Sequence, residues 1–303
     1  MKIGIDLGGS HIGVGLIEND QILISKDKNF TREDRENIKE TIIIQIDKLI
    51  SEILEEKKIT INEINLIGIA SPGTIADGVI EKAENLKIEN FKLKDILYEK
   101  YKIPVIIRND AKAAALAEKI YGSMKEYDDC VFLCLGTGIG GAAFMDGKLL
   151  EPKRFSGFEF GHMIVNKDGR LCACGKKGCF EAYASIKALR TQVTKDLDID
   201  SDITGQYLRE KLLILDNQLV KADIEMFLDY LKTGVGNLID IFEPEVVCFG
   251  GSFAYYEGNP VWFRLLEKLN TPESTFNNSK PKFVLAKYKN DAGIIGASML
   301  ESN

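Results

Sequence analysis

Metal-ligand chemistry is concentrated in one short stretch of the chain, at His162, Cys172, Cys174 and Cys179. One imidazole and three thiolates suit a tetrahedral Zn²⁺ with no open coordination position, which makes such a site structural. The competing readings are a disulfide and a redox dithiol. A disulfide framework is disfavoured because no export signal is legible at the start of the chain. A redox pair would be spaced C-x-x-C, whereas Cys172 and Cys174 are spaced C-x-C. Cys130, Cys134 and Cys248 fall in predicted strands and read as core residues. Glu159 and Glu181 flank the cluster, and a metal knot would hold both carboxylates in place. Read alone, each is equally a surface or helix-cap acid.

Two glycine turns form a second group. Asp6, Gly8, Gly9 and Ser10 follow one apolar run, and Gly136, Thr137, Gly138, Gly140 and Gly141 follow another. Glycine lets backbone N–H groups approach an anion without side-chain obstruction. A tight turn with no ligand is the plain alternative for either loop. Their pairing, and Asp6 at the end of an apolar strand, favour phosphate. A buried carboxylate is costly unless it meets a cation, and Mg²⁺ carried by ATP would supply one. Gly136, Gly138 and Gly141 fit G-x-G-x-x-G, but the following residues read as a hairpin with an Asp146-Gly147 turn. A dinucleotide-binding turn needs a helix there, so that reading is rejected. Gly250-Gly251 follows a predicted strand and would lie near an adenine and ribose. Asn109-Asp110 stands between a strand and an Ala-rich helix. Either residue suits an N-cap, and a carboxylate at that position stays ionised in the helix dipole. It can therefore take a proton from a hydroxyl that accepts a phosphoryl group.

The elements that must position these groups alternate. Strands are predicted at 3–7, 12–17 and 21–25, a helix at 35–57, a strand at 66–70, a helix at 92–101, a strand at 105–107 and a helix at 111–121. The second half repeats the opening pattern with strands at 131–135, 142–145 and 148–150. Helices at 180–197 and 220–241, strands at 246–249 and 282–286, and a helix at 292–300 complete it. The Asn19-Asp20 and Asp146-Gly147 turns are offset so that the two halves match in order, which suits two similar domains. Alternation indicates α/β layers, and the opening hairpins make each sheet mixed. The region 198–218 carries no usable pattern.

The chain has 303 residues and a net charge of −7. That length accommodates two domains, and the acidic balance argues against nucleic acid as a partner. No apolar run reaches the length of a membrane span, so a cytoplasmic location without membrane attachment is expected.

Taken in order, these motifs resemble the ROK (repressor, open reading frame, kinase) family of the sugar kinase/actin/Hsp70 superfamily. Asp6 to Ser10 is similar to its first phosphate motif, and Leu135 to Gly141 to its second. Ser71-Pro72-Gly73 resembles the sugar-side loop, and Asn109-Asp110-Ala111 the segment with the catalytic aspartate. The run Glu159-Phe160-Gly161-His162, then Cys172, Cys174, Gly175, Gly178, Cys179 and Glu181, is the most specific stretch. Asp291 to Ala297 resembles the closing segment.

The resemblance implies two actin-like (ribonuclease H-like) α/β domains with an interdomain cleft. They would span residues 1–117 and 118–291, with the helix at 292–303 packing back on the first. It implies ATP, Mg²⁺ and structural Zn²⁺, with Asp110 as base. Pro72, Gly73, Asn109, Glu159, His162 and Glu181 would contact the sugar, His162 using one ring nitrogen for zinc and the other for sugar. It also implies a homodimer. The expected activity is phosphorylation of a hexose, with glucose first. N-acetylmannosamine, N-acetylglucosamine, fructose and allose are alternative substrates, and a non-catalytic sugar-sensing regulator is the alternative from another class. A DNA-binding regulator of this family is expected to carry a helix-turn-helix ahead of Asp6. Phe158 stands where the family has a small residue, and His11 where Asn is frequent.

Overall fold

The computed structural model describes residues 1–9, 11–19, 21–152, 157–271, 276 and 280–300. Ser10, named above as a phosphate-loop residue, lies outside them. The chain divides into two compact units. The first comprises Met1–Tyr121, Glu151–Gly157 and Asn290–Asn303, and the second Gly122–Leu150 and Phe158–Lys289.

In the first unit, β1 (Lys2–Leu7), β2 (His11–Glu18) and β3 (Gln21–Asn29) form an antiparallel meander. Helix α1 (Ile38–Lys57) follows. It buries Ile38, Ile42, Ile46, Leu49, Ile50 and Ile53, the single stripe that helical spacing predicts. Lys58, in the left-handed region, ends it. Then come β4 (Leu66–Ser71), β5 (Thr74–Ala76), β6 (Val79–Ala83), β7 (Ile88–Phe91), α2 (Leu93–Tyr101), β8 (Val105–Asn109) and α3 (Asp110–Ile120). The main sheet has the order β3-β2-β1-β4-β8, with β4 and β8 parallel to β1. A separate small sheet, β5-β6-β7, was not expected from the sequence.

The second unit contains β9 (Cys130–Leu135), β10 (Ile139–Met145) and β11 (Lys148–Leu149). Helices α4 (Glu181–Ala184), α5 (Ile186–Asp196), α6 (Gly205–Tyr207) and α7 (Gln218–Phe242) follow. The unit ends with β12 (Val246–Gly251), α8 (Pro260–Leu269) and β13 (Lys282–Leu285). Its sheet order is β11-β10-β9-β12-β13, with an antiparallel meander and two parallel strands. That order corresponds position by position to the first sheet, so the two halves are topological repeats. The α/β class with mixed sheets in two lobes is therefore present. Strand β10 follows the second glycine turn directly and pairs antiparallel with β9, as the rejection of a dinucleotide-binding turn requires. The helix expected over 180–197 is two helices. Ser185 breaks it because its extended backbone lets its hydroxyl accept the Ala188 N–H at 3.0 Å and cap α5.

The last helix, α9 (Ala292–Ser298), belongs to the first unit and is buried along its whole length. It lies on the β1–β4 face through glycine contacts. A Cβ at Gly4 or Gly68 would overlap the carbonyls of Ile294 or Ala297, and one at Gly296 would overlap that of Ala113 on α3. The alanines of α3 have the same cause: Ala111, Ala113, Ala114, Ala115 and Ala117 are all buried. Close packing thus fixes α3, and with it Asp110 at its first turn. Among the described residues no helix is long and apolar enough to cross a membrane.

Candidate functional site

The parallel strands of the first unit deliver its candidate residues to one edge, their C-terminal ends, where open α/β sheets bind ligands. Asp6 pairs in register with Ala70, Ala70 with Arg108, and Ser71 with Asn109. Asp6, Pro72, Gly73, Asn109 and Asp110 therefore gather there. Asn109 is the cap of α3: its Oδ1 accepts the N–H groups of Ala111 at 3.1 Å and Lys112 at 3.4 Å. Its Nδ2 donates to the Gly73 carbonyl at 3.3 Å, tying the Ser71-Pro72-Gly73 loop to the helix. Gly73 has φ +88° and faces the Lys82 carbonyl, so only glycine fits this approach. With Asn109 as the cap, the Asp110 carboxylate accepts the adjacent Ala111 N–H at 2.8 Å at the positive end of α3.

Asp6 is the electrostatic focus. Burial, and then the charge of Asp110, push its carboxyl up to about 7. A methyl at Gly293 of α9 would come within 2.5 Å of its Cγ, so the helix backbone lies against this acid. His11, left without a role by the sequence, has its ring over Gly8 and its Nε2 4.0 Å from Asp6 Oδ2. The Gly8 N–H donates to the His11 carbonyl at 2.9 Å, closing the turn, and Arg35 holds the Gly9 carbonyl at 3.0 Å. Two neighbouring acids beside backbone N–H groups fit a phosphate-bound cation.

In the second unit the second glycine turn is narrower than expected. It covers Gly136 to Gly138, closed by a Gly136 N–H to Gly138 carbonyl bond of 3.0 Å. Gly140 lies inside β10, paired with Cys134. Gly250 and Gly251 end β12 directly beside this turn, in register with Cys134 and Leu135. Gly251 has φ +62°, and a Cβ there would meet the Leu135 carbonyl at 2.7 Å. The two loops are thus neighbours on one sheet edge. The Glu159-to-His162 segment is seated on β10, because Gly141 admits the Phe160 ring and Gly161 admits the Ile139 carbonyl. Glu159 is exposed. Phe158 packs against the core of this unit with φ +60°, a conformation uncommon for a bulky residue.

One ring nitrogen and three Sγ atoms from His162, Cys172, Cys174 and Cys179 lie within 4.8 Å of one another. Cys174 and Cys179 approach to 3.6 Å without a disulfide, as all six cysteines are free. Burial pushes the Cys172 thiol up, aided by Glu181, and burial with Cys174 pushes Cys179 up. For Cys174 burial is outweighed by the Lys176 N–H and the adjacent thiols, which lower it. Three thiols cannot all ionise at this spacing without a cation, and the donor set fits Zn²⁺. The Nδ1 of His162 faces Cys172 at 3.8 Å, leaving Nε2 as its other polar atom.

The sequence did not single out a cavity of about 530 Å³ in the second unit, lined in part by Glu257, Trp262, Phe283, Lys287 and Lys289. Lys289 lies over the Tyr255 ring at 5.2 Å. The lining residues come from separate elements, which no local pattern in the sequence brings together.

The whole-chain comparisons decide the family. Residues 2–303 match the ROK family model. This chain belongs to the ROK family. It is similar to the glucokinase of Thermotoga maritima, with 31% identity covering 98% of this chain and 96% of that protein. The structure of a ROK family glucokinase from Streptomyces griseus, in complex with glucose and AMPPNP, matches with TM-score 0.80 and 26% identity over 98% of both chains. The xylose repressor of Caldicellulosiruptor bescii is 28% identical over 97% of this chain and 76% of the repressor.

Proposed function

We propose that this ROK protein is an ATP-dependent sugar kinase acting on a hexose, with glucose as the preferred acceptor. The observation that carries the reading is the acid pair at one sheet edge, Asp6 pushed up beside Asp110. It supplies one carboxylate for a cation and one for a proton. Likeness to the two glucokinases supports the substrate.

In this reading Pro72, Gly73, Asn109, Glu159, His162 and Glu181 bind the sugar hydroxyls. Asp110 accepts the proton of the reacting hydroxyl as its oxygen bonds to the γ-phosphorus, and the bond from phosphorus to the ADP oxygen breaks. The turns at Gly8-Gly9 and Gly136 to Gly138 would offer phosphate oxygens backbone N–H groups other than those of Gly8 and Gly136, which close the turns, with Gly250-Gly251 beside the nucleoside. Asp6 would hold Mg²⁺, whose charge would offset that of the phosphates. His162, Cys172, Cys174 and Cys179 would hold Zn²⁺, which would order the loop carrying His162 and Glu181.

A screen of ADP release with glucose, N-acetylmannosamine, N-acetylglucosamine, fructose and allose tests this. Highest kcat/KM on glucose is expected, and turnover on none of the sugars refutes the enzyme reading. Likeness to the xylose repressor favours a second reading, a sugar-responsive regulator. Sugar binding by calorimetry without any ATP turnover would support it.

A further inference from the structure

Glu181 stands at the start of α4, and its two carboxylate oxygens face different parts of the second unit. Oε2 accepts the Ile139 N–H at 3.2 Å, from a residue 42 positions earlier in the chain. It also covers Gly138, where a Cβ would overlap it. Oε1 lies 3.2 Å from Cys172 Sγ and 3.9 Å from His162 Nδ1. The other end of the same turn is held by α5, whose Lys187 N–H donates to the Gly136 carbonyl at 3.1 Å. The turn is thus clamped at both ends by the helices that follow the metal loop.

A turn built on glycines has few side chains of its own to fix its conformation, and glycine loses more freedom on ordering than any other residue. A charge-assisted bond to the Ile139 N–H, immediately after the turn, selects one conformation. We propose that Glu181 is a positioning residue for the Gly136-to-Gly138 turn, linking the order of the His162/Cys172/Cys174/Cys179 cluster to the turn's affinity for nucleotide phosphate. The inference rests on the kinase reading, which makes this turn a phosphate site. It assigns Glu181 a task on the nucleotide side in addition to any sugar contact.

The test is Mg·ATP binding by calorimetry on the full chain without sugar, so that a sugar contact of Glu181 does not enter. Glu181→Gln keeps an oxygen for the Ile139 N–H and should bind ATP within about threefold of wild type, whereas Glu181→Ala should bind roughly tenfold more weakly or worse. Chelating the metal from wild type should weaken ATP by a similar factor, yet add little to the loss in Glu181→Ala. ATP affinity unchanged in a Glu181→Ala protein that retains its metal overturns the proposal. Additive losses, or a wild type that binds no metal, overturn the link to the cluster. If Glu181→Ala does not fold, Gly138→Ala perturbs the same contact from the turn. It should lose ATP affinity with metal content intact, and unchanged affinity overturns the proposal. A wild type that binds no ATP at all refutes the kinase reading instead.

Discussion

Replacing Asp6 with Asn should make the ligand-free protein more stable and less active, with a pH dependence set by the burial of this acid. Its carboxyl rises from an ordinary 3.8 to about 7 in the fold, through burial first and the Asp110 charge second. Below about pH 4 both folded and unfolded chains hold the proton, and the group contributes nothing. As pH rises from about 4 to about 7 the unfolded chain releases the proton while the fold retains it. Wild-type stability therefore falls by about 1.4 kcal/mol per pH unit over that interval. Above about pH 7 both states are ionised and the loss levels off near 4 kcal/mol. The Asp6 side chain is 20% exposed, so that figure is a ceiling. Asp6→Asn removes the titration. In urea unfolding its advantage over wild type should grow between pH 5 and pH 8 and then stop growing. Mg·ATP should stabilise wild type by about 2.7 kcal/mol at a hundredfold excess over Kd, and the variant by far less. An Asn–Asp difference that stays constant from pH 5 to pH 8, or shrinks, refutes the burial argument.

Other outcomes follow from the same structure. Gly296→Ala drives a methyl into the Ala113 carbonyl. It should lose about 1–3 kcal/mol, read as a lower midpoint in thermal unfolding, despite alanine's better helix propensity. Cys174→Ser should lose the zinc, which metal analysis of the wild type should find at about one per chain. With it should go protection of the 159–181 segment in hydrogen exchange. Asp110→Asn removes the second cause of the raised Asp6 acid, so in the variant the upper end of the pH interval over which stability falls should move down, while its lower end, set by the unfolded chain, stays near pH 4.

Much of the fold was legible because its cues are local. The opening meanders are marked by glycine turns and by the Asn19 and Asp146-Gly147 positions, whose positive φ values suit tight hairpins. The metal cluster was visible because three cysteines and a scarce histidine are packed into one segment. What stayed hidden depends on contacts remote in sequence. Strands β5 to β7 are short and half-exposed, so their pattern carries too few residues to stand out. The tie from Glu181 to Ile139 and the contact of Gly293 with Asp6 join residues far apart in the chain. His11 gains its place only when the turn folds its ring over Gly8. Region 198–218 folds as the short helix α6 and a π-helical turn at Leu208–Leu212, neither long enough to impose a period.

If Asp110 takes the proton from the acceptor hydroxyl, Asp110→Ala at saturating glucose and Mg·ATP should lose about 10²–10⁴-fold in kcat, while its glucose Kd by calorimetry stays within a few-fold of wild type. Undiminished turnover, or loss of glucose binding with the remaining turnover scaling to it, would rule out Asp110 as the base.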